Sequence, residues 1–323
     1  MRLATINYQQ QRLLAIGNPR GEVFLLNDLL PVAKDGPATP KTMLELIEMA
    51  PEARQALMKA AGAALLAGGV AAILPEAWLP PVVKPGKILG VAINNGAIAR
   101  MAYRYVEKPA FFMKASSSLI GNGAAIKIRR EFGLTHPEPE LACVIGAPLS
   151  QAKEDEVLEA VFGYTIINDI TSPGLKDEDS LHFEIKRTMP LPTWRRTRAE
   201  DDADIYLTYH ARSKCTDTFG PLGPWLVTAD EIENPNALTI KSWLGDELIA
   251  DDSTANLMFT VPQVLAHLSR YISLEPGDIV HMGTAVDPMR VSLRDADFQK
   301  RPGPSVVEIE KIGRLTNPIE IIE

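Results

Sequence analysis

What this chain of 323 residues has little of narrows the field first. It carries two cysteines, Cys143 and Cys215, far apart in the sequence. Two such thiols supply neither a disulfide framework nor the spacing of a thiolate metal site, and they fit a reducing cytosol. No apolar run approaches the ~18 residues that a membrane span requires. The nearest candidate, residues 60–74, is rich in alanine and broken by Gly62, Gly68 and Gly69, which reads as a packed helix. The opening residues 1–7 lack the apolar core of a signal peptide. A cytoplasmic protein with no membrane partner is therefore expected. Excess positive charge is also missing: the net charge is −8 and the pI about 5.3. That balance argues against nucleic acid or anionic lipid as a partner. No G-x-G-x-x-G, Walker loop, H-E-x-x-H or G-x-S-x-G occurs. No period of 20 to 50 residues recurs either, so this is not a repeat protein.

What is present is an ordinary globular composition, 46% hydrophobic and 23% charged. The length suggests two domains, or one large β-rich domain with an appendage. Residues 1–83 read as a small first unit. Two apolar runs, 13–16 and 23–26, flank the turn-forming 17–21 and predict a hairpin. Thr42 with Glu45 forms a capping-box pattern, and Pro51 opens a second helical pattern with a small-residue face. A proline cluster, Pro75, Pro80, Pro81 and Pro85, reads as a connection. From residue 84 onward the texture is many short strands and few helices, which predicts a β-rich sandwich, barrel or roll. Asn122-Gly123 signals a hairpin, 154–161 a short helix, 172–194 an irregular stretch, and 261–270 a helix.

Chemistry gathers around His136-Pro137-Glu138-Pro139-Glu140, which leads into the apolar run Leu141 to Ile145. Strand side chains alternate, so Glu138 and Glu140 share one face. Taken alone, such a pair most often marks a solvated edge strand. Two adjacent carboxylates otherwise repel unless a cation or shared proton intervenes. Asp169 ends the next apolar strand and offers a third hard oxygen donor, although by itself it also suits a turn or cap. Three carboxylates without clustered His or Cys suit Mg2+ or Mn2+.

Four blocks then carry a resemblance. They are Glu138-x-Glu140-Leu141 with Val144-Ile145-Gly146, and Gly163-Tyr164-Thr165 with Asn168-Asp169. Lys214-Cys215-Thr216-Asp217 running to Pro221-Leu222-Gly223-Pro224 follows, and then Leu274-x-Pro276-Gly277-Asp278 with Gly283-Thr284. Over about residues 87–323 the chain resembles the fumarylacetoacetate hydrolase family. The resemblance implies a mixed β-sandwich roll of mainly β, α+β character, with the small N-terminal α+β domain at 1–83 and a catalytic domain at 84–323. It further implies a homodimer acting on a small-molecule 2-oxo acid, with Mg2+ or Mn2+ on Glu138, Glu140 and Asp169. Lys214 is implied as the catalytic lysine, Gly283 and Thr284 as binders of the substrate carboxylate, and Lys114 as a further substrate-side group.

Departures from the family pattern bear on the reaction. Hydrolytic members carry a lid histidine and glutamate that activate water. Here Ile98 stands at the histidine position, Glu107 is the nearest glutamate, and Tyr103 or Arg104 are further substitutes. His136, on the face of Glu138, and His182 are the candidate bases; His210, His267 and His281 read as structural. The leading expectation is metal-dependent hydrolysis of a C–C bond. A hydratase, dehydratase, decarboxylase or keto–enol isomerase is the alternative, and a non-catalytic binding protein is disfavoured by the intact acidic cluster.

Overall fold

The computed structural model describes residues 1–30, 39–100, 107–184, 204–287 and 295–323. The N-terminal segment supplies β1 (Arg2–Tyr8), β2 (Gln11–Gly17) and β3 (Val23–Leu25), then α1 (Leu26–Leu29), α2 (Met43–Glu48), α3 (Pro51–Ala67) and β4 (Ala77–Leu79). Next come β5 (Ile88–Ala92), α4 (Gly96–Ala99), β6 (Ala110–Met113), β7 (Leu119–Ile120) and β8 (Ile126–Arg129). The motif strands follow as β9 (Pro139–Ile145) and β10 (Val161–Asn168), then α5 (Pro173–Glu178), β11 (Ser180–Glu184) and β12 (Asp204–Thr208). After α6 (Ala211–Cys215) lie β13 (Gly220–Pro221), β14 (Leu226–Thr228), β15 (Thr239–Leu244) and β16 (Glu247–Ser253). The chain ends with α7 (Val261–Ser269), β17 (Ile279–His281), β18 (Ser305–Ile309), β19 (Gly313–Asn317) and β20 (Ile319–Ile322).

One ten-stranded sheet runs β3-β2-β1-β14-β10-β9-β17-β5-β6, with β4 added against β1. Its pairings are antiparallel apart from β17 with β5. A four-stranded sheet, β16-β15-β18-β19, packs over one face. The architecture is the sheet-rich mixed α+β class that the sequence implied.

Strand β9 explains why its sequence is almost unbroken apolar. Every residue from Pro139 to Ile145 is buried, because both faces of the sheet are covered. Leu141, Cys143 and Ile145 enter the core shared with β15, β18 and α7. Ala142 and Val144 face the opposite core, built with Leu46, Ile47 and Leu57 of α2 and α3. The period of two thus sorts one strand between two cores.

The N-terminal segment shares both cores. Leu3 pairs with Leu226, and Trp78 meets Trp225 edge-on with ring centroids 4.8 Å apart. The expected β2–β3 hairpin forms, with Gly17 opposite Val23 and Ala15 opposite Leu25. Thr42 caps α2 through its hydroxyl to Glu45 N, while Glu45 reaches back to Lys41 N instead of Thr42 N.

Three local expectations are corrected. Asn122-Gly123 makes no hairpin: Asn122 Oδ1 accepts from Thr316 N, and Gly123 N donates to Thr316 O. The turn itself forms, Ala124 N donating to Gly121 O at 3.3 Å, but it docks against β19, and β7 and β8 pair with β13 and β20 instead of with each other. Of 154–161 only Val157–Ala160 is helical, as one 3-10 turn, because Val161 already pairs with Ile145 in the sheet. The stretch beginning at Ser172 is partly regular: the Ser172 hydroxyl caps α5 by accepting from Leu175 N, and β11 follows.

Ile6, fully buried on β1 in the common core, tests how tightly the segments are joined. Ile6→Ala should destabilise the chain by about 2–5 kcal/mol. Denaturant unfolding followed by tryptophan fluorescence should show one transition moved to lower denaturant. A separate early transition, with the remainder unmoved, would contradict a shared core.

Candidate metal centre

The motif residues meet at the ends of the three central strands β10, β9 and β17. Backbone hydrogen bonds bring their carriers together: Asp169 N donates to Glu138 O at 2.8 Å, and Glu138 N donates to Asn168 Oδ1 at 2.9 Å. Ile170 N to Phe219 O and Ser172 N to Ser213 O dock the segment bearing α6 beside the acids. Lys214 sits in the last turn of α6, where a cation also suits the negative end of the helix.

Asp169 is completely buried, and both of its oxygens are taken by lysines. Lys114 Nζ reaches Oδ1 at 2.8 Å and Lys214 Nζ reaches Oδ2 at 2.6 Å. Lys214 also binds Glu138 Oε2 at 2.6 Å and lies 5.2 Å from the centre of the Phe112 ring. Lys114 additionally donates to the carbonyl of Lys214. Burial by itself would raise the Asp169 carboxyl, but the two ammoniums outweigh it and hold it below the ordinary carboxylate range. Burial would likewise lower the Lys214 ammonium. Asp169, Glu138 and Glu140 outweigh that and hold it above the ordinary lysine value.

Glu140 is managed differently. Its Oε2 accepts from Gly283 N at 2.7 Å and lies 2.6 Å from His281 Nδ1. Burial dominates here and leaves the carboxyl raised, with His281 only partly opposing. Ligand atoms of Glu140, Asp169 and His281 lie within 4.8 Å of one another. His281, read from the sequence as structural, thus lies against Glu140 within the cluster. A signal existed: His281 shares strand parity with Gly283, but only the β9–β17 register, His281 opposite Ala142, aims it at Glu140.

The donor set suits a divalent cation. Two desolvated carboxylates converge with a third, Glu138, which stays 18% exposed at the rim. A carboxylate has about four lone-pair positions, so an oxygen bonded to an ammonium can still accept a cation. Mixed carboxylate and imidazole surroundings fit Mn2+ at least as well as Mg2+.

The remaining expected residues are placed less centrally. His136 is buried and bridges its backbone to Thr171. Its Nδ1 lies 3.1 Å from Pro137 O, an acceptor only, so Nδ1 carries the proton and Nε2 the lone pair. Burial lowers its pKa and keeps the ring neutral, although Glu138 pulls the other way. His182 lies exposed on β11, opposite Tyr206 of β12. Gly283, at φ +98°, spends its amide on Glu140, and the Thr284 hydroxyl donates to Ala285 O at 3.1 Å. Ile98 is half-buried in α4 and Glu107 is exposed, while Tyr103 and Arg104 fall outside the described residues. Asn94 contributes a tie that was not expected. Its amide donates to Met282 O at 2.7 Å and to Phe259 O at 3.1 Å, pinning the start of the lid stretch to the strand carrying His281.

Comparison with known proteins follows this geometry. Residues 87–320 match the family described as Fumarylacetoacetate (FAA) hydrolase C-terminal. A protein of Burkholderia multivorans is 31% identical over 204 residues, 63% of this chain; the chain spans less than two thirds of that protein, 63% of its length. An uncharacterized protein of Staphylococcus aureus strain USA300 is 30% identical over 244 residues, 75% of this chain and 71% of its own. Among solved structures, maleylpyruvate hydrolase from Sphingobium sp. SYK-6 superposes with a TM-score of 0.69 at 25% identity, covering all of both chains. The same enzyme in complex with manganese(II) and pyruvate gives 0.69 at 24%, again over both whole chains. The 5-carboxymethyl-2-hydroxymuconate delta-isomerase from Mycobacterium smegmatis gives 0.67 at 21% over both whole chains.

Removing one ammonium from Asp169 tests the electrostatics. Lys114→Met should cost about 3–5 kcal/mol at neutral pH, because a buried carboxylate loses half its compensation. A carboxyl held low in the fold stabilises above its unfolded value of 3.8 and loses that contribution as pH falls below it. Acid-induced unfolding of the wild type should therefore steepen below pH 3.8, and Lys114→Met should flatten that limb. Equal curves for the two proteins would contradict the assignment.

Proposed function

The chain belongs to the fumarylacetoacetate hydrolase family, and from that premise we propose that it is a divalent-metal-dependent enzyme hydrolysing a C–C bond of an acylpyruvate-like 2-oxo acid. One observation carries the reading. Three carboxylates, Glu138, Glu140 and Asp169, face two ammoniums, Lys114 and Lys214, in one largely desolvated cluster. One net negative charge is left over, and a dication reverses it to one positive. A 2-oxo carboxylate is the complementary ligand, since its keto and carboxylate oxygens form a chelating pair. Manganese and pyruvate in the maleylpyruvate hydrolase complex support the same pairing of ion and product class.

Mg2+ or Mn2+ held by Glu138, Glu140 and Asp169 would supply Lewis acidity to the 2-oxo group. The chain's own groups then have defined tasks. The Lys214 ammonium stabilises negative charge growing on the substrate oxygen as the C–C bond breaks, while Lys114 keeps Asp169 ionised. Neutral His136, with its lone pair on Nε2, takes a proton from the attacking water. The proton that His136 takes passes to the carbon left as the enolate; water and acylpyruvate are consumed, and pyruvate, a carboxylate and one proton are released. Thr284 stands beside Gly283, whose amide is held by Glu140, at the end where the substrate carboxylate would bind, and the exposed His182 of β11 is a second candidate base. In the cell we place the enzyme in the cytoplasm, as a homodimer whose state sedimentation would read.

A second reading is favoured by Ile98. An apolar side chain at the lid position activates no water, so keto–enol isomerisation, dehydration or decarboxylation uses the same charge stabilisation without hydrolysis. The isomerase among the structural relatives supports the isomerisation branch of this reading.

Assay of an acylpyruvate and a 2-oxo-3-deoxy sugar acid, with products identified by mass, separates the readings. Pyruvate with a free acid indicates hydrolysis, unchanged mass indicates isomerisation, and loss of one water indicates dehydration. Glu138→Ala should lower turnover by about 100-fold or more, and EDTA should abolish it reversibly. Full activity in EDTA would rule out the metal-dependent reading.

A further inference from the structure

His281 is buried, and its two ring nitrogens have opposite fates. Nδ1 lies 2.6 Å from Glu140 Oε2, whereas Nε2 is buried with no hydrogen-bond partner among the described residues. A proton on Nε2 would be a buried donor with nothing to bind, while a proton on Nδ1 is used at once. The preferred tautomer therefore donates from Nδ1 to Glu140. The other side of the ring is closed. A Cβ at Gly90, the residue opposite His281 on β5, would sit 2.3 Å from Cε1, 2.4 Å from Nε2 and 2.5 Å from Phe112 Cζ. Phe112 meets the imidazole edge-on at 5.6 Å. Gly90 and Phe112 thus close the ring on that side.

Both donors near Glu140 converge on the same oxygen. Gly283 N lies 2.7 Å from Oε2, and no hydrogen bond among the described residues falls on Oε1. We propose that His281 is a positioning residue for the cation site. Its Nδ1–H, with Gly283 N–H, fixes Glu140 Oε2 so that Oε1 alone is presented to the metal, and Gly90 is the glycine that admits the ring. This rests on the divalent-cation reading above. It assigns the nearby imidazole a donor's role and not a ligand's, even though ligand atoms of His281, Glu140 and Asp169 lie within 4.8 Å of one another, close enough to share an ion. Glu140 becomes a one-oxygen ligand whose direction is set before the ion arrives.

The test is Mn2+ binding to the full chain after chelator treatment, read by the electron paramagnetic resonance of free Mn2+, without substrate. His281→Leu, apolar and of similar bulk, should weaken binding by about 10–100-fold. His281→Asn places an amide N–H near the position of Nδ1 and should stay within about threefold of wild type. Should the leucine variant fail to fold, as judged by circular dichroism, the asparagine variant decides: retained affinity supports the proposal, and a tenfold loss overturns it. Wild-type affinity in folded His281→Leu overturns it as well. So does 15N hyperfine coupling from labelled His281 to bound Mn2+, which would make the ring a ligand. Absence of Mn2+ binding by the wild type would remove the cation reading itself, and this proposal with it.

Discussion

Asp169 sits without solvent contact between two lysines, and the chemistry of the site depends on that arrangement. A lone carboxylate at such depth would take up a proton. A lone ammonium at such depth would lose one. Together they stay ionised, so the protein keeps a desolvated charge pattern in which small displacements of charge matter greatly. The pairing is costly in stability, since apolar residues of the same shape would serve a core as well or better. Under the proposed reading, the same charges are those that meet the ligand.

The fold supplies the rigidity this requires. Strands β10, β9 and β17 are the middle of a ten-stranded sheet, covered on both faces, and the acids stand where those strands end. Lys114 follows β6, two strands beyond β17, and Lys214 comes from a short helix docked by backbone hydrogen bonds. Apart from Glu138 and Glu140, which come from one segment, each charged group thus has a different carrier, and the carriers are locked to one another through main-chain contacts. The covering helices of the N-terminal segment belong to the same core, so residues far from the chemistry hold the central strands in place.

Much of the fold class was legible because strand alternation and turn residues are local signals. The β2–β3 hairpin, the Thr42 cap and α7 follow from neighbouring residues, and they form as read. Asn122-Gly123 was misread for a physical reason: a turn signal says that the chain bends, not which strand it meets afterwards. Val157 to Val161 likewise looks helical by pattern, yet sheet pairing with Ile145 takes Val161 first.

At the site, the sequence determined through alternation that Glu138 and Glu140 share one face, and the resemblance carried by four ordered blocks implied Asp169 and Lys214 beside them. It also placed Ile98 where the resemblance implies a lid histidine. Only the tertiary structure decided what each charge leans on. That Lys114 and Lys214 divide the two oxygens of Asp169, and that His281 lies against Glu140, depends on strand register and on the space left by Gly90. Register is a relation between strands far apart in the chain, and no single stretch of residues encodes it.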